Sequence, residues 1–448
     1  MSLMVAGLAL LIAWPLYNLT LVMMATRAQS ADRRSRRNDA ATPTGNEPET
    51  FWIVIPCLNE ERVVGRTAAA ALALSGPTGT TSYVLVIDDA SDDGTAAVLS
   101  AIEHPNLHVL RRTLPEARRG KGEALNAGYR FIRECSRLHG NDPRRVAIGV
   151  IDGDGRGSPN MLTEVSRTMR DPSVGAAQCR VRIHNRDRVL GAVQDLEFGS
   201  IANASQVLRN GLGTVGLGGN GQFTRLSSLI ELGETPWSKC LVEDLELGLR
   251  LHLGGERIRY ISAARVTQQG VVDVRRLLRQ RTRWAQGNLQ CVSYVPRLIA
   301  SRRIGNLALM EMLYYLLAPW MNAIGTIGIV AVWGDAMWRL TPGHGEPFLV
   351  HTWPELATVV SIWIAALLAP PLLWAVVHHA QLRDERLGRL LLAAVAYPGF
   401  LMLGLISTWR AVLRQVTGRS AWAKTERLAE ELDEEPVRTR PAIQVART

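Results

Sequence analysis

Asp152-Gly153-Asp154 closes the apolar run Val146 to Ile151. Carboxylates two residues apart at a strand end are hard oxygen ligands that suit magnesium or manganese. Such a cation acts as a Lewis acid on a departing phosphate. A solvated acidic turn is the competing reading. Asp88-Asp89 ends a second apolar run, Tyr83 to Ile87, where a carboxylate can accept hydrogen bonds from a base or ribose. Gly120-Lys121-Gly122 is a small basic loop before a helix carrying Asn126. Its lysine and the helix N-terminus can meet phosphate. Glu243-Asp244 offers a carboxylate that could take the proton of an attacking hydroxyl. These two acids also suit the first turn of the amphipathic stretch Asp244 to Leu253. In Gln280-Arg281-Thr282-Arg283-Trp284, Gln280, Arg283 and Trp284 stand at i, i+3 and i+4 and share one helix face. Arginine clamps phosphate bidentately, and tryptophan gives a flat surface for a sugar ring. An interfacial helix, with Trp and Arg at headgroup depth, is the alternative.

Alternating strand-like and helix-like segments must position these groups. Phe51 to Ile55 reads as a strand broken by Pro56, and Glu60 to Leu74 as a helix. Strand Tyr83–Ile87, helix Ala96–Glu103, strand Leu107–Leu110, helix Glu123–His139 and strand Val146–Ile151 follow. Such alternation argues for a mostly parallel sheet covered by helices on both faces. Ligands then gather at the carboxyl ends of the strands, where Asp88-Asp89 and Asp152-Gly153-Asp154 lie. From about 190 to 300 the pattern is more helical, with Asp273 placed to cap a helix through Arg275, Leu278 and Trp284.

Apolar segments bracket this block. Met1 to Thr26 is uncharged and would span about 39 Å as a helix at about 1.5 Å per residue. The basic residues Arg27, Arg33, Arg34, Arg36 and Arg37 follow it, which favours an uncleaved anchor with its N-terminus outside over a secretory signal. Residues 27–49 read as a basic linker. Beyond Asn306, apolar segments at 307–333, 355–378 and 390–409 are interrupted by Pro319, Pro370-Pro371 and Pro398. One anchor plus three later spans would leave the basic tail outside, against the positive-inside tendency. An even number of crossings after residue 290 is therefore expected, with one segment re-entrant or interfacial or an extra crossing hidden in 307–333. The polar stretch 410–448 would then be a cytoplasmic tail.

The formal net charge is +10, almost all from arginine; Lys121, Lys239 and Lys424 are the lysines. With no nucleic-acid motif and many arginines flanking apolar segments, membrane topology and phosphate chemistry explain the charge. The five cysteines are scattered without C-x-x-C spacing, which supports neither a disulfide framework nor a zinc site.

Together these residues resemble the membrane-embedded branch of glycosyltransferase family 2, which includes cellulose, hyaluronan, chitin and poly-N-acetylglucosamine synthases. Ile55 to Glu61 is similar to the family's first strand and turn, and Val86 to Thr95 to its nucleotide-binding segment. Asp152-Gly153-Asp154 matches the metal motif, Glu243-Asp244 the base motif, and Gln280 to Trp284 the Q-x-x-R-W motif. The resemblance covers about residues 50 to 290. It implies an α/β GT-A-type (Rossmann-like) cytoplasmic domain at 50–290, joined to interfacial and transmembrane helices at 291–409. It further implies a nucleotide-sugar donor, most often a UDP-sugar, Mg²⁺ or Mn²⁺, and inversion to a β-linkage. By carry-over, Asp88, Asp89, Lys121 and Asp152 meet the nucleotide. Asp154, with Asp152, holds the metal. Asp244 is the base beside Glu243, and Gln280, Arg283 and Trp284 shape the donor and acceptor sites. Asn220 and Gly221 lie where relatives place an acceptor-facing loop, though Gly218 to Gln222 departs from the cellulose and hyaluronan forms. The tail Trp422 to Arg427 resembles the end of bacterial members.

The leading expectation is a multi-pass enzyme of the plasma membrane that elongates a β-linked envelope polysaccharide. Its partners would be donor, growing glycan and membrane lipids, with no nucleic acid, and a homo-oligomer or export partner could complete a channel. A single-addition transferase using a lipid acceptor is the alternative, since ceramide glucosyltransferases carry a similar arginine-tryptophan motif. A non-catalytic membrane subunit is the third reading.

Overall fold

The computed structural model describes residues 15–27, 29–30, 45–339, 341 and 352–418. Much of the expected anchor (1–26) and linker (27–49), and most of the tail (410–448) with Trp422 to Arg427, lies outside the described residues.

The strands are β1 (Thr50–Cys57), β2 (Thr81–Asp88), β3 (Leu107–Arg111), β4 (Val146–Val150), β5 (Arg156–Gly157), β6 (Val174–Ile183), β7 (Gln222–Arg225) and β8 (Arg257–Gln268). They form one sheet in the order β3-β2-β1-β4-β7-β6-β8-β5. β1, β2, β3 and β4 run parallel, as the alternation predicts. β7 enters antiparallel between β4 and β6. β1 and β4 are apolar almost throughout and buried, as parallel strands covered on both faces must be.

The helices are α1 (Val64–Leu72), α2 (Thr95–Ser100), α3 (Lys121–Leu138), α4 (Met161–Thr168), α5 (Val189–Leu196), α6 (Asn203–Leu212), α7 (Leu226–Glu231), α8 (Glu243–Gly254), α9 (Val274–Cys291), α10 (Val295–Ala300), α11 (Asn306–Arg339), α12 (Trp353–Leu382) and α13 (Leu387–Val416). A π-helical turn, Glu197–Ala202, joins α5 to α6. One apolar core packs Phe51, Ile53 and Ile55 against Val64, Ala68 and Met161. The other packs Trp52, Val54 and Ile148 against Leu125, Tyr129 and Leu247.

Three local expectations are corrected. Pro56 does not break β1, which runs on to Cys57. By that point β4 has ended its pairing at Val54, so the missing N–H leaves no ladder incomplete on that side. The helix expected from Glu60 begins only at Val64, after a turn closed by Val63 and Val64 amides on the Glu60 carbonyl. The stretch read as helical, 190–300, also contains β7 and β8. β7 is four residues long, and β8 pairs with β6 through register shifts that blur its alternation.

α9 begins where Asp273 caps it, the carboxylate accepting from the Arg276 amide at 2.8 Å. α11, α12 and α13 run through Pro319, Pro370-Pro371 and Pro398 without ending. Asn306–Gly328, Trp353–Leu382 and Leu387–Val416 are long and apolar enough to cross a membrane. A third core joins α12 and α13 to the sheet domain. It packs Leu21 and Ala25 of the N-terminal helical residues with Val193 of α5, Trp374 of α12, and Leu390, Tyr397 and Phe400 of α13. Inside it Trp374 Nε1 donates to Asn18 Oδ1 (2.8 Å).

Candidate active site

Strand order reverses between β1 and β4, and a cleft of about 520 Å³ opens at the carboxyl ends there. It is lined by Asp89 beyond β2, Asp152 beyond β4, Lys121 at the start of α3, and Glu243 and Asp244 at the start of α8. From α9 come Gln280, Arg281, Arg283 and Trp284. The cleft continues to Tyr315 and Pro319 of α11 and to Gly404 and Ser407 of α13.

Lys121 is the centre of the acidic end. Its ammonium donates to Asp152 Oδ1 (2.6 Å) and the Gly219 carbonyl (2.9 Å), with Glu243 Oε1 at 3.7 Å. Gly219 permits this approach, because a Cβ there would stand 2.8 Å from Lys121 Nζ and 3.2 Å from Asp244 Oδ2. Burial alone would lower the lysine, yet Asp152 and Glu243 hold it above its ordinary value. Burial pushes Glu243 up to about 7 against the pull of Lys121. Burial likewise raises Asp244, again opposed by Lys121. Asp244 Oδ1 accepts from the Leu245 amide (2.8 Å), which fixes the carboxylate at the first turn of α8.

The two aspartates of each strand-end pair part company. Asp89 lines the cleft, bonded to Arg112 and the Arg118 amide (3.1 Å), and burial raises its carboxyl despite Arg112. Asp88 turns beneath it and accepts from the Ser91 amide (2.9 Å). Asp152 faces the cleft, whereas Asp154 is buried and accepts from the Gln269 amide (2.9 Å). Asn220 lines the cleft and holds Gln268 through Nδ2 (2.8 Å). Gly221 sits behind it, its amide donating to the Val150 carbonyl (2.8 Å). Gln280, Arg283 and Trp284 all reach the cleft, as their shared helix face requires.

Two groups have no counterpart among the residues picked from sequence. Glu60 lines the cleft beside Gly153, whose Cβ position lies 3.2 Å from Glu60 Cγ. Arg281 forks onto Glu197 of the π turn, with Nη1 to Oε1 at 2.8 Å, and its guanidinium lies 4.8 Å from the Trp284 ring and 4.9 Å from Phe400. The helical phase that selects Gln280, Arg283 and Trp284 passes over Arg281, because its partners arrive from distant segments.

Asp152 supplies hard oxygen donors of the type that magnesium or manganese takes. Among the described residues no group of three or more His, Cys, Asp or Glu is gathered that could hold a metal alone. The protein donor set thus fits a cation only if phosphate oxygens of a donor complete its shell.

A family model described as glycosyltransferase-like family 2 matches residues 48–287, more than half of the chain. The chain belongs to this family. Beta-monoglucosyldiacylglycerol synthase of Trichormus variabilis is 32% identical over 273 residues, 60% of this chain and 55% of the relative. Poly-beta-1,6-N-acetyl-D-glucosamine synthase of Staphylococcus aureus is 29% identical over 248 residues, 54% of this chain and 55% of the relative. The match thus spans about half the length of these curated relatives. A mannosyltransferase from Pyrobaculum calidifontis, solved with GDP-Man and Mn²⁺, superposes with TM-score 0.54 at 20% identity, covering 88% of this chain and 98% of the other. The family 2 domain therefore has the GT-A-type fold.

Proposed function

We propose that this family 2 protein transfers a sugar, with inversion, from a nucleotide-sugar donor to a hydroxyl of a lipid acceptor that enters from the membrane. One observation carries the reading. A single cleft runs from the carboxylates at Asp152, Glu243 and Asp244 to Tyr315, Pro319, Gly404 and Ser407 on the apolar helices. A similarity to a glucosyldiacylglycerol synthase supports it.

In this reading Lys121 and Arg283 meet the donor diphosphate. Asp152 belongs to the metal subsite, with Asp154 buried behind it rather than facing the cleft, and Asp89 belongs to the nucleoside end. Mg²⁺ or Mn²⁺, when bound with the donor, offsets negative charge on the leaving diphosphate. The acceptor oxygen attacks the anomeric carbon as the carbon–oxygen bond to phosphate breaks. Its proton passes to the Asp244 carboxylate, and the nucleotide diphosphate leaves. The raised basicity of buried Asp244 favours that proton transfer. Trp284 and its apolar neighbours hold water away from the donor.

The same contacts support a topology. α11 starts at the catalytic domain, where Arg209 holds Glu311 (2.6 Å). α12 returns to it at His378, 2.9 Å from Ser200 Oγ, and meets α11 where Trp333 and Trp363 stack edge to face. α13 is fastened at both ends. Asp384, just before it, binds Arg182 (2.8 Å), and Arg414 near its end donates to Gln286 of α9 (2.9 Å). We therefore read α11 and α12 as a two-crossing hairpin and α13 as interfacial, with 50–290 as the cytoplasmic catalytic unit. Arg386→Cys and Val416→Cys should be labelled from the same side of sealed inverted vesicles. Labelling from opposite sides would sink this topology.

Elongation of a glycan is the second reading, supported by the poly-N-acetylglucosamine synthase relative. Purified protein in phosphatidylcholine nanodiscs containing dioleoylglycerol, incubated with radiolabelled UDP-glucose, UDP-galactose or UDP-N-acetylglucosamine and Mg²⁺ or Mn²⁺, separates the two. A single-sugar lipid supports the first reading, and polymer the second. No turnover with any donor would remove both.

A further inference from the structure

The π turn Glu197–Ala202 interrupts what would otherwise be one helix from α5 to α6. Such turns widen the backbone by one residue and recur at functional sites. Here its residues are fastened in different directions. Glu197 takes the Arg281 fork from α9. The Gly199 carbonyl accepts from Arg180 of β6, and a Cβ at Gly199 would lie 2.8 Å from Arg182 Nε, so only glycine fits against that guanidinium. Ser200 meets His378 of α12. Immediately before the turn, Asp195 takes both Arg182 Nε (2.8 Å) and Nη2 (2.7 Å), and that guanidinium also holds Asp384. The turn is thus pinned to the sheet, to the Q-x-x-R-W helix and to the apolar helices together.

Phe198 points from this pinned turn into the cleft. Its half-buried ring stands edge-on to Trp284, with centroids 6.2 Å apart and planes at 85°. The two rings make a right-angled corner in the same cleft that Tyr315, Pro319, Gly404 and Ser407 line. Half-exposed aromatic faces meeting at a corner suit a group that presents carbon-bound hydrogens beside hydroxyls, such as a polyol headgroup. The guanidinium that lies over both rings, Arg281, is committed to Glu197 rather than open to a phosphate.

We propose that Phe198 is an acceptor-selecting residue, which with Trp284 holds the glycerol or sugar headgroup of a lipid acceptor against the donor. This rests on the reading that the membrane-side end of the cleft takes the acceptor. Glu197 is then a positioning residue, which acts through Arg281 to keep the corner square.

The test uses the full chain in phosphatidylcholine nanodiscs with graded dioleoylglycerol, UDP-glucose as donor and UDP for equilibrium binding. Phe198→Ala should raise the KM for dioleoylglycerol about three- to tenfold, the loss expected for one aromatic contact. Phe198→Tyr should restore it, because the ring is kept. UDP affinity should hold in both variants, which also reports an intact domain. An unchanged acceptor KM in Phe198→Ala overturns the proposal. So does a parallel loss of UDP binding, which would mark Phe198 as a folding residue. If the wild-type chain instead extends N-acetylglucosamine oligomers, the lipid reading fails, and the same comparison of KM values with those oligomers decides the role of Phe198.

Discussion

At its donor end the cleft is walled by side chains that leave the tips of parallel strands and the first turns of two helices: Asp89, Asp152, Lys121, Glu243 and Asp244. At its other end, beside the apolar helices, it is walled by rings and small residues drawn from four separate segments: Phe198, Trp284, Tyr315, Pro319, Gly404 and Ser407. The first end is charged and densely bonded, and each group sits beside its motif neighbours in sequence. The second is apolar and is assembled only when α9, α11, α13 and the π turn pack together. In the proposed reading, bond making belongs to the charged end and choice of acceptor to the apolar end, whose shape depends on distant contacts. Changes at the two ends should therefore separate cleanly.

The largest effect is expected at the charged end. Asp244→Asn removes the base and should lower kcat by about 10²–10⁴-fold, the usual range for a general base. UDP binding to this variant should persist; near-normal turnover would show that another group takes the proton. Next comes the support of the apolar end. Asp195→Ala removes the forked partner of the buried Arg182 and leaves it Asp384 alone, a change expected to cost about 1.5–3 kcal/mol of stability. Denaturant unfolding monitors that cost, and a loss under about 1 kcal/mol would mean the node is solvated rather than buried.

Trp284→Ala should lower transfer at least about tenfold, or about 1.4 kcal/mol, while UDP affinity survives. Wild-type rates would remove the stacking role and with it the division between the ends. The last effect is titration of Glu243, which acts on stability rather than on turnover. Its folded-state value, near 7, lies above the ordinary 4.5. The unfolded chain therefore loses this proton first, and Glu243's contribution to stability, full below 4.5, fades as pH rises toward 7 and beyond. Glu243→Gln should flatten that fall in urea midpoints measured between pH 5 and 7. An unchanged slope would assign it to another carboxyl.

The same contrast explains what could be read from sequence. Asp89, Asp152, Lys121 and Asp244 announce themselves because strand ends and helix starts are local events with local signals. The shared face of Gln280, Arg283 and Trp284 follows from helical spacing alone, and all three reach the cleft. Phe198 carries no such signal. It stands in the unremarkable run Leu196-Glu197-Phe198, and its role depends on a π turn that no periodicity marks. Asp88 and Asp154 illustrate the opposite limit. Spacing makes each equivalent to its neighbour, yet Asp89 lies just beyond the end of β2, and Asp152 and Asp154 stand in the turn after β4; there local hydrogen bonds decide, so that Asp88 and Asp154 accept from backbone amides while Asp89 and Asp152 meet the cleft. β8 was hidden for a related reason, because its register shifts break the two-residue rhythm.

The interfacial place proposed for α13 has a consequence for the lipid bilayer itself. A helix clamped to the catalytic domain through Asp384 and Arg414 takes its depth from that domain, not from the thickness of the surrounding hydrocarbon. The mouth at Gly404 and Ser407 would then ride at a constant height above the acyl chains. Turnover should vary little between nanodiscs of short-chain and long-chain phosphatidylcholine, whereas the α11–α12 hairpin alone would absorb the mismatch by tilting.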